Sequence, residues 1–178
     1  MKNYKNITVL ELASLVSQKL RDNEIDSILV GGACVSIYSE NKYMSKDLDF
    51  VTFSSIKEIK PVLELLGFTF QKTNRFIRQD CPFYLEFLPY PVTIGSEINL
   101  DKFKIIKTKK GNLKILTPAD SVKDRLSAYY HWNDTQSLEQ AILVFRSQII
   151  DIKEIESWSK NEGELEKFKQ FLKNLQNK

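Results

Sequence analysis

Two short stretches of the sequence carry residue types that could do chemistry. The segment from Leu29 to Gly32 is apolar and ends in a glycine pair, and the segment from Ser45 to Asp49 places two aspartates one residue apart. Glycines let backbone N–H groups approach an anion without a Cβ in the way, and a helix start behind them adds a favourable dipole. The first stretch therefore predicts a phosphate-binding turn formed by Gly31 and Gly32.

The aspartate pair predicts a cation site. On a strand, Asp47 and Asp49 point to the same face, so their like charges repel unless a cation binds between them. Few ligands, all of them hard oxygens, indicate Mg²⁺ shared with nucleotide phosphates. The alternative is a pair of solvated residues at a strand start, with Asp47 capping a turn. A divalent cation beside a phosphate is the combination used in phosphoryl transfer.

The two motifs together resemble those of the nucleotidyltransferase superfamily with the DNA polymerase beta-like fold. That family pattern has a glycine turn, an Asp-x-Asp strand and a third carboxylate on a later strand. The glycine pair followed by Ser45-x-Asp47-x-Asp49 looks most like the minimal members, which include antibiotic nucleotidyltransferases and abortive-infection toxins. The resemblance implies Mg²⁺ as the cofactor, with two ions when nucleotide is bound.

Glu86 is the best candidate for the third carboxylate. It lies between Leu85 and Phe87, which meets the family pattern of an acid between two hydrophobic residues. The resemblance implies that it helps to hold a catalytic metal and can assist deprotonation of the attacking hydroxyl. The alternative is an exposed charge on an ordinary half-buried strand. Weaker substitutes, none in a comparable strand, are Asp80, Glu97 and Asp101.

Two serines near these motifs are candidate nucleotide ligands. Ser45 could bond a phosphate oxygen, or could be an ordinary turn serine that bonds the backbone. Ser36 follows Gly32 by one helical turn and faces either the phosphates or the solvent.

A cation from the second half of the chain is a further candidate. In related nucleotidyltransferases a lysine in the first helix after the catalytic sheet reaches the phosphates, and Lys123 or Arg125 matches it. The alternative is a helix-surface cation paired with Asp120 or Asp124.

The segment from Tyr130 to Asp134 predicts the base or acceptor pocket. It contains His131, the single histidine, and groups that can stack on a base or hydrogen-bond a substrate. We therefore expect Tyr130, His131 or Trp132 to meet the base or the acceptor. The alternative is a corner between two helices, with Trp132 buried and Asp134 capping the next helix.

The elements that must position these residues follow from hydrophobic periodicity and punctuation. The predicted helices cover residues 8–22, 33–38, 55–66, 119–132, 135–147, 152–160 and 164–175. The predicted strands cover residues 25–30, 47–52, 68–70, 75–78, 83–88, 103–108 and 113–116, with a hairpin turn at 109–112. This order predicts an α/β (α+β) fold, in which a small mixed sheet is flanked by helices. Residues 1–116 would form the catalytic core, and residues 117–178 a helical subdomain packed on it.

Composition limits the classes of protein to which this sequence can belong. A net charge of +3 and a pI near 8.7 are too mild to identify a nucleic-acid binder. Cys34 and Cys81 stand without clustered histidines, which argues against zinc and favours small buried hydrophobes. Neither a secretory segment nor a membrane-spanning apolar run is present, so we expect a cytoplasmic protein without a membrane partner.

The sequence thus predicts a Mg²⁺-dependent nucleotidyltransferase. It would move a nucleoside monophosphate from a nucleoside triphosphate to a hydroxyl and release pyrophosphate. The acceptor stays open between a small molecule, tRNA and a protein. The alternative is a non-catalytic nucleotide- or partner-binding module of a toxin–antitoxin-like system.

Overall fold

A computed structural model describes residues 4–72, 74–90, 94–96 and 102–176. Within these residues, the helices are α1 (Val9–Arg21), α2 (Gly31–Tyr38), α3 (Ile56–Glu64), α4 (Pro118–Trp132), α5 (Thr135–Ser147), α6 (Ile152–Asn161) and α7 (Leu165–Gln176). The strands are β1 (Ser27–Val30), β2 (Asp47–Thr52), β3 (Thr69–Phe70), β4 (Arg75–Ile77), β5 (Tyr84–Pro89), β6 (Phe103–Thr108) and β7 (Gly111–Leu116). The predicted α/β fold is confirmed.

The strands form one mixed sheet in the order β3-β4-β5-β2-β1-β7-β6. The central strand β2 is parallel to β5 and antiparallel to β1, and β1 is parallel to β7. The hairpin between β6 and β7 pairs Thr108 with Gly111, so its loop is the two residues Lys109 and Lys110. The predicted turn at 109–112 is therefore confirmed in place but is two residues shorter.

Helix starts follow the capping signals in the sequence. Thr8 and Ser55 each form a capping box with the glutamate three residues later, and Thr117 caps α4 ahead of Pro118. The second helix differs from the prediction, because it begins at Gly31 rather than at Ala33. The glycine pair is thus the first turn of α2 and follows β1 without a loop.

Alternation along β2 and β5 gives the middle of the sheet one apolar and one polar face. Leu48 and Phe50 of β2 and Leu85 and Phe87 of β5 are buried, and the rings of Phe50 and Phe87 stack with centroids 5.5 Å apart. Each such side chain contributes about 1.5–3 kcal/mol when buried. The residues between them, Asp47, Asp49 and Glu86, are only partly buried and project from the other face.

The C-terminal helices pack on each other and on α2. Helix α4 packs along α5, and both contact α2. Helical spacing in α4 predicts a core stripe of Val122, Leu126 and Tyr129; Val122 and Leu126 are buried, but the buried aromatic residue is Tyr130 instead of Tyr129. Cys34 is buried, Cys81 is partly buried, and both are free thiols. Among the described helices, none has the length and apolar character needed to cross a membrane.

Candidate active site

The polar face of β2 and β5 brings the three predicted carboxylates together. In the parallel pairing of these strands, Asp49 is the register partner of Glu86, and Asp47 is the partner of Tyr84. Register partners on neighbouring strands project from the same face at close range. We call Asp47, Asp49 and Glu86 the carboxylate row.

Gly31 lies directly against this row. Val30 at the end of β1 pairs with Asp49, and Gly31 follows with φ +69°, a left-handed conformation. A Cβ at this position would lie 2.7 Å from the Asp49 Oδ2 atom. A glycine is therefore required here for two reasons, the backbone conformation and the close approach of the carboxylate.

Ser36 and Ser45 connect α2 to the start of β2. The Ser45 backbone N–H donates to Ser36 Oγ at 2.8 Å, and Ser36 Oγ donates to the Gly32 carbonyl at 3.3 Å. Ser45 Oγ donates to the Asp47 carboxylate, and a Cβ on Gly32 would lie 2.9 Å from that hydroxyl. Both serines are buried and hold the two motifs in register. Direct phosphate contacts from Gly31, Gly32, Ser36 and Ser45 stay predictions.

Asp49 has a strongly shifted acidity. Burial, which is the largest cause, and the neighbouring charges of Asp47 and Glu86 together raise its pKa to about 7. Arg125 opposes this shift. Without an added cation, the ionised form of Asp49 is therefore disfavoured, and a cation bound in the row would favour it.

Arg75 is a site residue that sequence reasoning missed. Its Nε donates to Glu86 Oε1, and its Cζ lies 4.6 Å from the centroid of the Tyr84 ring. The alternation of Arg75-Phe76-Ile77 indicates a strand, and β4 is that strand. The pairing of Arg75 with Glu86 depends on the register between β4 and β5, which the sequence pattern alone does not reveal.

Of the two cations proposed from α4, Arg125 is the one coupled to the carboxylate row. It donates to Asp124 Oδ2 at 2.6 Å and to Gln140 Oε1 at 3.3 Å. Burial lowers its pKa, but Asp124 outweighs burial, so the net pKa shift is upward. Its positive charge in turn lowers the pKa of Asp49, which links α4 electrostatically to β2.

Lys123 has two carboxylate partners within the helical half. Its Nζ lies 2.7 Å from Glu154 Oε1 and 3.5 Å from Asp120 Oδ1, and the residue is 8% exposed. Its role as a phosphate ligand stays a prediction. The contacts agree with the alternative of pairing with Asp120, although the lysine is buried rather than on the helix surface.

The Tyr130–Asp134 segment differs from both interpretations in part. Asp134 caps α5, as the helix-corner alternative requires, but Trp132 is 82% exposed instead of buried. Tyr130 was expected among the groups that could meet a base or acceptor. It is instead buried, with its hydroxyl 2.8 Å from Ser159 Oγ. His131 Nε2 lies 3.5 Å from Glu162 Oε2, and its contact with nucleotide stays a prediction.

The substitute carboxylates do not extend the row. Asp80 forms a 2.5 Å ion pair with Arg78 and accepts from the Tyr4 backbone at 3.2 Å. The Arg78 hydrogen bonds lower the pKa of Asp80 to about 2. Glu97 and Asp101 lie outside the described residues.

The donor set of the row fits Mg²⁺ bound jointly with phosphates. In the part of the chain that is described, no group of three or more acidic, histidine or cysteine side chains is arranged to hold a metal ion. Mg²⁺ does not need one, because it keeps several waters and binds through one or two carboxylates plus substrate phosphates. Asp47 and Asp49 supply such oxygens, and a bound cation would oppose the burial and the like charges that raise the pKa of Asp49.

Comparison with solved structures finds proteins of similar fold. It is similar to an antigenic nucleotidyltransferase-like protein from Paracoccidioides brasiliensis, with a TM-score of 0.61, 16% identity, and 98% of this chain and 89% of that chain covered. It is also similar to ANT(2'')-Ia in complex with adenylyl-2''-tobramycin, with a TM-score of 0.55 and 10% identity. That match covers 86% of this chain and 95% of the other. A solution structure of ANT(2'')-Ia gives a TM-score of 0.52 at 13% identity, and the match covers 91% of this chain and 96% of the other.

These likenesses show a shared fold. No family model and no curated protein matches the sequence itself.

Proposed function

We propose that this protein is a Mg²⁺-dependent nucleotidyltransferase. It transfers a nucleoside monophosphate from a nucleoside triphosphate to a hydroxyl acceptor and releases pyrophosphate. The observation that carries this proposal is the carboxylate row in register beside Gly31, where Asp49 Oδ2 lies 2.7 Å from the position that a Cβ would take. Although Arg75 pairs with Glu86, three carboxylates on one sheet face repel each other, and a further bound cation would relieve that repulsion.

Each residue of the site has a distinct task in this reaction. Asp47, Asp49 and Glu86 would hold Mg²⁺, which supplies neutralisation of the phosphate charge when it is bound. The backbone N–H groups at the start of α2 donate to phosphate oxygens, because they lack partners within the helix. Glu86 accepts the proton of the attacking hydroxyl. Ser36 and Ser45 keep the glycine turn and Asp47 in fixed relative positions.

The reaction itself is an in-line displacement at the α-phosphorus. The acceptor oxygen forms a new ester bond to that phosphorus, and the bond to the bridging oxygen of the leaving group breaks. The electron pair departs with pyrophosphate, and the hydroxyl proton goes to Glu86. Positioning and charge neutralisation supply most of the catalysis in such transfers.

The structural neighbours support this assignment without fixing the acceptor. One of them, ANT(2'')-Ia, is in complex with adenylyl-2''-tobramycin, a nucleotidylated small molecule. A small hydroxyl-bearing acceptor is therefore the first class to test for this chain, ahead of tRNA and protein.

A labelling experiment tests the proposal. The protein is incubated with each α-labelled nucleoside triphosphate, Mg²⁺ and fractionated cell extract, and the fraction that becomes labelled is identified. We expect label in one fraction, and pyrophosphate release that requires Mg²⁺ and is lost in Asp49→Asn. Absence of transfer from all four nucleotides, with Mg²⁺–nucleotide binding intact, would instead favour the non-catalytic module.

A further inference from the structure

The ion pair between Arg75 and Glu86 lies at the edge of the carboxylate row. Strand β4 pairs antiparallel with β5, and Arg75 is the register partner of Glu86. The Arg75 side chain is 47% exposed, and that of Glu86 is 23% exposed. The guanidinium therefore lies on the open side of the same sheet face that carries Asp47 and Asp49.

Fold stability does not explain why an arginine is placed here. Surface ion pairs of this exposure contribute little to the stability of a fold. The guanidinium is nevertheless held in one direction, because its Cζ also lies 4.6 Å from the centre of the Tyr84 ring. Tyr84 is the register partner of Asp47, so the ring keeps Arg75 close to two members of the row.

The guanidinium of Arg75 is partly available to an anion while it is paired with Glu86, and it becomes fully available when a cation binds Glu86. Its N–H groups form a planar fork that matches phosphate oxygens, and Glu86 accepts only its Nε in this structure. We propose that Arg75 binds the diphosphate that becomes the leaving group, and that Glu86 holds the guanidinium in place while the site is free of nucleotide. This inference rests on the proposed function, because it assigns a residue to the pyrophosphate half of the same substrate.

The role of Arg75 follows from where negative charge develops. When the bond between the α-phosphorus and the bridging oxygen breaks, that oxygen takes the electron pair and pyrophosphate gains negative charge. A guanidinium bound to the departing diphosphate stabilises this charge and moves no proton. Arg75 is thus a leaving-group ligand, distinct from the acids that hold the metal.

Binding of inorganic pyrophosphate without metal tests this inference directly. Calorimetry is performed in chelator on the wild type, Arg75→Ala, Glu86→Gln and the double variant. We expect Arg75→Ala to weaken binding by roughly tenfold, because a charge-assisted bond to phosphate is lost. Glu86→Gln should tighten binding several-fold, because it frees the guanidinium, and the double variant should bind as weakly as Arg75→Ala.

A matched control separates this role from general loss of positive charge. Lys60 pairs with Glu64 at 3.8 Å on α3, with side chains 49% and 51% exposed, so Lys60→Ala removes an equally exposed paired cation. Lys60→Ala should leave pyrophosphate binding unchanged, and circular dichroism should show that every variant is folded. Wild-type affinity in Arg75→Ala would overturn the inference, as would tight binding in the double variant. Neither result would contradict the proposed function, because the labelling test above depends on Mg²⁺ and Asp49.

Discussion

The carboxylate row and a helical corner of the molecule differ in how their polar groups are paired. The helical corner is formed by Asp120, Lys123, Tyr130, Glu154 and Ser159. In the corner, Lys123 lies between two carboxylates, and the Tyr130 hydroxyl is bonded to Ser159. In the row, the nearest charged neighbours of Asp49 include two further carboxylates, and its pKa is raised to about 7 by burial and by those neighbours. In the corner, each carboxylate therefore shares the Lys123 cation, whereas in the row Arg75 pairs with Glu86 and leaves Asp49 beside like charges.

The difference separates a packing element from a binding site. Both regions are rich in groups that could do chemistry, and the sequence predicts nucleotide-binding residues in both. A carboxylate whose pKa is perturbed by burial and by like charges marks a functional site more often than a satisfied ion pair does. The predictions below ask whether changes in the row affect chemistry and changes in the corner affect stability.

The largest expected effect is in Asp49→Asn. Removing a metal ligand should lower transfer activity on the order of a thousandfold, which corresponds to several kcal/mol of transition-state stabilisation. The fold should not be weakened, because one of the repelling carboxylates is gone. Steady-state kinetics and chemical denaturation measure the two effects. Asp120→Asn in the corner is the matched control, and it should lose stability but keep its activity per folded molecule. Similar losses of activity in both variants would contradict the distinction between a binding site in the row and a packing element in the corner.

Glu86→Gln should affect turnover more than nucleotide affinity. If Glu86 accepts the proton of the acceptor hydroxyl, its amide analogue loses an interaction made mainly in the transition state, and kcat should fall roughly a hundredfold. The Kd of the Mg²⁺–nucleotide complex should change far less. Calorimetry beside steady-state kinetics separates the two quantities. An unchanged kcat would remove Glu86 from the chemical step.

Gly31→Ala and Gly163→Ala compare the same backbone strain in two places. Both glycines have positive φ, +69° and +76°, but a Cβ meets the Asp49 carboxylate at Gly31 and nothing within 4 Å at Gly163. Each change should cost about 1–2 kcal/mol of unfolding free energy from the left-handed conformation. Only Gly31→Ala should also lower activity, because it displaces Asp49. Equal activity in both variants would mean that Asp49 does not need its present position.

Lys123→Met should act on stability. It leaves the buried Asp120 and the half-exposed Glu154 without their shared cation, so the free energy of unfolding should fall by about 1–3 kcal/mol. Denaturant unfolding measures this loss. The affinity for the Mg²⁺–nucleotide complex is measured on the same sample. Loss of a charge-assisted bond to phosphate would lower this affinity by roughly tenfold or more. Such a fall would support Lys123 as the phosphate ligand that the sequence predicts.

Much of the fold could be predicted from local signals. The capping boxes at Thr8 and Ser55 and the proline after Thr117 mark helix starts that the structure confirms. Alternation across β5 also indicated which of its residues face the core, because a half-buried strand has a period of two. These features depend on neighbours within a few residues, which a sequence displays directly.

What could not be predicted depends on register and tertiary packing. The contact of Arg75 with Glu86 requires the pairing of β4 with β5, and the coupling of Arg125 to Asp49 requires α4 to pack beside the sheet. Tyr129 and Tyr130 are adjacent, and a small helix rotation decides which of them is buried. The exposure of Trp132 likewise contradicts the expectation for a large aromatic residue at a helix corner.

The most direct test of the central claim is the pKa of Asp49 with and without Mg²⁺–nucleotide. Carboxyl ¹³C NMR on the wild type, with Asp49→Asn to assign the resonance, gives this value. In the free protein we expect a pKa of about 7, which burial and the neighbouring carboxylates produce. Adding Mg²⁺ with a non-hydrolysable triphosphate should lower the pKa below its ordinary value of about 4, because a bound cation favours the ionised form. A pKa that stays near 7 with the nucleotide bound would contradict the assignment of this row as the metal site.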